Sequence, residues 1–102
     1  MKITFSPEAR PEFADAVRWY VIEAGSQRAA DFRNAVHRTL DLLAEHPTMG
    51  APAASNTRRI VVHRYPYSMF YHASADTLRI LAVAHQSRRP NYWVGQIGRA
   101  HV

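Results

Sequence analysis

The spacing of apolar residues along this chain follows a helical period in its first half and a strand period in its second. Lys2 to Phe5 contains β-branched Ile3 and Thr4, is closed at once by Ser6-Pro7, and reads as a first strand. Ser6 is placed to cap a helix, with Pro7 at its first position and Glu8 in the first turn, where the helix dipole favours an acid. Pro11 would remove a backbone bond and crowd the preceding turn of a regular helix, so an irregular start or a restart near Arg10 is expected. Beyond it, Phe13, Val17, Tyr20, Val21 and Ala24 fall on one helical face, which ends at Gly25. Ser26 is then expected to cap a second helix, whose face of Ala29, Phe32, Val36, Leu40 and Leu43 runs to Glu45 or His46. Pro47 forbids continuation. Two helices of similar length joined by so short a turn run antiparallel.

From Pro47 to Asn56 the residues are small or proline and read as one long loop. Three strand patterns follow: Arg58 to His63, Tyr67 to His72, and Thr77 to Ala84, separated by turns at Tyr65-Pro66 and at Ser74-Ala75-Asp76. The run from Leu78 to Ala84 is almost continuously apolar, as expected of a strand at the centre of a sheet or covered on both faces. The order is β-α-α-β-β-β, an α+β fold with a helical hairpin packed on a small antiparallel sheet. Residues 1–93 read as a single domain and 94–102, with Gly95 and Gly98, as a flexible tail.

Composition narrows the function classes. At 102 residues, 47% hydrophobic and 21% charged, the chain has enough apolar content for one core and is not expected to be disordered. There is no cysteine, which removes thiolate chemistry and disulfides and fits a cytoplasmic location. The opening MKITFSPEAR lacks the apolar core of a signal peptide, and no run approaches the length of a membrane span. Apart from His85, the histidines are His37, His46, His63, His72 and His101; they show no metal-ligand spacing, so neither a metal nor a cofactor is expected.

Charge divides the chain. Thirteen Lys and Arg against eight Asp and Glu give +5, and Lys2 is the sole lysine. The acids cluster up to Glu45 with only Asp76 beyond, whereas Arg58, Arg59, Arg64, Arg79, Arg88, Arg89 and Arg99 crowd the second half. Guanidinium forks match phosphate or carboxylate in two-point fashion, so this polarity points to an anionic partner for the sheet end. Directly after the apolar strand come His85, Arg88, Arg89, Tyr92 and Trp93, with Pro90 stopping regular pairing. Imidazole suits proton transfer near neutral pH, so His85 reads either as a general base or as a hydrogen-bonded structural residue. Arg88 and Arg89 beside Tyr92 and Trp93 form a basic and aromatic pairing suited to gripping an anion or anchoring an interface. By strand parity Arg58 and Arg64 point one way and Arg59 the other, while Tyr67, Met69 and Tyr71 share a core face.

The element order, together with Ala-Asp-Phe at 30–32, His46-Pro47-Thr48-Met49-Gly50, Tyr65-Pro66-Tyr67-Ser68-Met69-Phe70-Tyr71 and His85-Gln86-Ser87-Arg88-Arg89-Pro90-Asn91-Tyr92-Trp93, resembles the RelE/ParE superfamily of bacterial type II toxins. The resemblance covers Ile3 to Trp93 and implies a compact cytoplasmic toxin neutralised by a cognate antitoxin. In the RelE-like branch, which cleaves mRNA on the ribosome, the middle strand reads Tyr-Arg-Leu-Val-Tyr and the last leads into Gly-Lys-Arg. Here Ser68 and Gln86 stand where that branch has arginines. The closing His-x-x-Arg-x-Pro-x-x-Trp is closer to the ParE-like branch, whose toxins act on DNA gyrase. Under that reading Arg58, Arg59, Arg64, Arg88, Arg89, Tyr92 and Trp93 are the residues expected to bind the target or the antitoxin. The alternative branch implies an endoribonuclease in which His85, Arg88 and Tyr92 transfer protons and bind phosphate. A third reading is a diverged, non-toxic interaction module.

Overall fold

In the computed structural model, which describes residues 1–89 and 91–94, the elements are β1 (Lys2–Phe5), α1 (Ala9–Ala24), α2 (Ser26–Glu45), β2 (Ala51–Ala53), a short 3-10 turn (Ala54–Asn56), β3 (Thr57–Val61), β4 (Tyr67–Ala73) and β5 (Thr77–His85). The expected pairing stop at Pro90 and all but the first residue of the flexible tail expected at 94–102 lie outside the described residues. Ser6 does cap the first helix: its Oγ accepts the Ala9 N–H at 3.0 Å and its carbonyl accepts the Arg10 N–H at 3.2 Å. The irregular start expected near Arg10 is present: residues 7–8 form a turn and regular helix begins at Ala9, because Pro11 has no N–H to give the Pro7 carbonyl.

Gly25, at φ 94° and ψ 164°, makes the whole joint between the helices. Its N–H returns to the Val21 carbonyl at 3.2 Å, and its own carbonyl receives the Ala29 N–H at 3.1 Å. Gly25 is therefore the cap of α2, and Ser26 is the first helical residue without a capping bond. The hairpin buries Ala9, Ala16 and Tyr20 from α1 and Ala29, Phe32, Ala35, Val36, Leu40 and Leu43 from α2. Val21, expected on the buried face, is 47% exposed, since the face that meets the sheet is the row ending at Tyr20.

The fold is α+β, and its sheet is mixed. Strand order is β1-β5-β4-β3-β2, with β1 parallel to β5 and every other pair antiparallel. A chain that leaves β1 for a helical hairpin on one face and returns through a meander brings its last strand beside its first. β2 lies in the stretch expected to be loop. Ala-Pro-Ala carries little strand propensity, and Pro52 is tolerated because β2 is an edge strand.

The core lies between the hairpin and one face of the sheet. Tyr20, Phe32, Tyr65 and Tyr67 form an aromatic cluster with ring centroids 4.8 to 6.3 Å apart. Met69 and Tyr71 continue that face with no exposure, so the alternation expected for Tyr67, Met69 and Tyr71 is present. β5 carries a bulge at Leu81: Tyr71 pairs with Ile80 and Phe70 with Ala82. The extra residue lets Leu78, Ile80 and Val83 all face the hairpin, while Ala82 and Ala84 face the other side. A bulged central strand buried on both faces accounts for the uninterrupted apolar run.

Candidate functional site

The sheet face opposite the hairpin is only partly covered. Pairing across β3 and β4 sets Arg59 beside Phe70 and Val61 beside Ser68, and pairing across β4 and β5 sets Phe70 beside Ala82 and Ser68 beside Ala84. These small residues leave a hollow, and the segment after β5 turns back to form its wall. Trp93 packs against Phe70 with the rings tilted and their centroids 4.8 Å apart, and is fully buried. Burial of its large ring anchors the short segment, while the indole Nε1 has no hydrogen-bond partner among the described residues. The result is an open cleft of about 530 Å³ at one end of the sheet.

Of the candidate residues, Arg59, His85, Arg88, Arg89, Tyr92 and Trp93 line this cleft. Arg58 and Arg64 do not. The Arg58 guanidinium points to the opposite side and donates to the Gly50 carbonyl at 2.8 Å, as parity to Arg59 requires. Arg64 has no parity relation to Arg58, because β3 stops at Val61 and Arg64 sits in the following turn at φ 73°. Ser68, buried, and Gln86, exposed, also line the cleft, in the places where arginine was absent from the sequence.

Two candidate proton-transfer groups are already engaged. The Ser87 backbone N–H donates to His85 Nδ1 at 3.0 Å, and Ser87 Oγ lies 2.8 Å from the same nitrogen. An N–H donor needs the Nδ1 lone pair, so the proton of the neutral ring sits on Nε2. The imidazole also meets the Tyr67 ring edge-on at 5.1 Å. Tyr92 donates its hydroxyl to Glu12 Oε2. Burial and then that bond push its pKa well above the ordinary phenol value, with Arg88 opposing them.

Glu12 was not legible as part of the site. Its Oε1 accepts the Val83 N–H at 2.9 Å across 71 residues of sequence, and nothing local to α1 signals such a contact. The Arg88 guanidinium lies over the Tyr92 ring, 4.0 Å from its centroid. Among the described residues no group of three or more acidic or histidine side chains could hold a metal ion, and no helix is long and apolar enough to cross a membrane.

A family model described as the ParE toxin of the type II toxin-antitoxin system parDE matches residues 3–90, nearly the whole chain. The chain belongs to the ParE toxin family. It thereby falls in the ParE-like part of the RelE/ParE superfamily, as its closing motif implied. A solved structure of the chromosomal ParDE TA system from P. aeruginosa is similar in fold, with a TM-score of 0.72 and 17% sequence identity. The match covers 83% of this chain and 95% of that one. No curated protein sequence matches the chain. Seen as a ParE-like toxin, the chain keeps the basic and aromatic residues of its closing segment around one cleft.

Proposed function

We propose that this ParE-like toxin arrests growth by binding DNA gyrase in the cytoplasm through the basic cleft, that it breaks no bond itself, and that a cognate antitoxin covers the same surface. Family membership supports the toxin reading. The observation that carries the binding-only reading is the engagement of both proton-transfer groups. RNA cleavage needs a base for the 2′-hydroxyl, cations around the developing phosphorane and an acid for the leaving oxygen. His85 has its unprotonated nitrogen occupied by Ser87, and Tyr92 is held protonated against Glu12. Ser68 and Gln86 supply no positive charge.

What remains is recognition. Arg59, Arg88 and Arg89 surround an aromatic wall, and among the described residues the sole ion pair is Arg18 with Asp15, far from the cleft in sequence. Uncompensated guanidinium groups beside aromatic surface favour an acidic protein segment, which fits both a target and a neutralising antitoxin. Purified chain added to a gyrase supercoiling reaction, with a coupled translation reaction in parallel, tests this. Loss of supercoiling with trapped cleaved DNA and undisturbed translation is expected. Blocked translation with cut mRNA would replace the proposal with the endoribonuclease reading.

A further inference from the structure

Glu12 leaves the helical hairpin and reaches the sheet. From the first turn of α1 its carboxylate accepts the Val83 N–H with one oxygen and the Tyr92 hydroxyl with the other. Val83 lies beyond the last β1–β5 pair, Phe5 with Ile80, so its N–H points from an edge that no strand covers. A buried backbone donor must find some acceptor, and here the acceptor is a side chain. Tyr92 then carries Arg88 on its ring face at 4.0 Å. Arg88 is thus held by a ring and not by a carboxylate, and among the described residues the sole ion pair is Arg18 with Asp15. A stacked guanidinium keeps its in-plane N–H donors available to an anion.

We propose that Glu12 is the positioning residue of the cleft: it latches the segment carrying Tyr92 and Trp93 to the sheet edge and so places Arg88 for an anionic partner without neutralising it. The proposal rests on the cleft being the toxin's binding surface. A direct Glu12–Arg88 ion pair would satisfy the carboxylate equally and would cancel the charge that the cleft offers. The interposed phenol separates the two functions, since Glu12 receives neutral donors while Arg88 remains a cation. The latch also joins three parts of the chain distant in sequence, α1, β5 and the closing segment.

The test uses the full chain with Trp19→Phe, which leaves Trp93 as the one tryptophan. Glu12→Ala, Glu12→Gln and Tyr92→Phe are compared by amide exchange at Val83, acrylamide quenching of Trp93, and growth arrest on expression. Glu12→Ala orphans Val83 and Tyr92, and Val83 exchange is expected to rise about tenfold or more, with Trp93 opened to the quencher and arrest lost. Glu12→Gln keeps an acceptor for Val83 and offers its amide to the phenol oxygen, so it should restore most of all three. Should Glu12→Ala fail to fold, Tyr92→Phe decides, with Trp93 unshielded and arrest weakened while Val83 stays protected.

Unchanged exchange and quenching in Glu12→Ala would overturn the latch, as would undiminished arrest once Trp93 is exposed. A Glu12→Gln variant that keeps Trp93 shielded yet arrests growth no better than Glu12→Ala would overturn it too, since the carboxylate would then act on the partner directly. Failure of the Trp19→Phe parent and of the unmodified chain to arrest growth contradicts the toxin reading instead. Exchange and quenching then still decide whether Glu12 positions the segment.

Discussion

A Cβ on Gly50 would stand 2.6 Å from Tyr71 Oη and 2.9 Å from the Arg59 carbonyl oxygen. The reason lies in the Pro47–Gly50 turn: Tyr71, fully buried, receives the Gly50 N–H at 2.9 Å and donates its hydroxyl to the Pro47 carbonyl at 2.7 Å. The Pro-x-x-Gly motif, read in the sequence as a family feature, is thus a polar turn closed over the end of a core tyrosine. Gly50→Ala should cost about 1–3 kcal/mol in urea unfolding, because a carbonyl of β3 cannot step aside. Adding Tyr71→Phe removes the nearest obstacle along with its hydrogen bonds, so the double variant should lose less than the sum of the two single losses. Strict additivity would place the strain elsewhere. Arg58 is tied to the same turn through its bond to the Gly50 carbonyl, and its half-buried place beside a motif glycine was invisible to charge counting.

At the scale of elements, the helices and the three meander strands were legible because their apolar periods are long. α2 in particular runs Ser26–Glu45 with Phe32, Val36, Leu40 and Leu43 buried on one side. What escaped the sequence were features set by pairing. β1 joins β5 in parallel, β2 forms from Ala-Pro-Ala only because β3 offers an edge, and the Leu81 bulge realigns β5 without any glycine to mark it. The cleft was legible as a cluster after the last strand, but its wall required Trp93 to fold back on Phe70, and Glu12 required tertiary contact across α1 and β5. Gly25 has nothing within 4 Å of a Cβ but holds φ 94° and ψ 164°, a conformation nearly closed to other residues. Gly25→Ala should destabilise the chain by about 1–3 kcal/mol in urea unfolding, through backbone strain alone. A neutral effect would mean that the helices can be joined in another conformation.

For the molecule as a whole, the acids lie mostly in the helical half and the arginines mostly in the sheet half, with a net charge of +5. The sheet end therefore attracts anions over distances of about one Debye length, roughly 10 Å at moderate salt. Burial also shapes the pH response. Burial comes first in raising the pKa of the Tyr20, Tyr67 and Tyr92 hydroxyls above the ordinary phenol value, so the fold favours their neutral forms more than the unfolded chain does. Their contribution is complete below about pH 10, where unfolded tyrosine begins to ionise, and is lost as pH rises through the higher folded values. The urea midpoint should fall on the alkaline side of that point, and less steeply in Tyr92→Phe. A midpoint unaffected by alkali would contradict this.

Recognition by arginines with no chemistry at His85 is decided by titrating three purified forms into a gyrase supercoiling reaction: the parent, His85→Ala, and the Arg88→Ala/Arg89→Ala double variant. The parent and His85→Ala should inhibit and trap cleaved DNA at the same concentration, while the arginine variant should need about tenfold more, as for loss of an interface anchor. Gyrase indifferent to the parent, or inhibition lost with His85 and kept without the arginines, would contradict it.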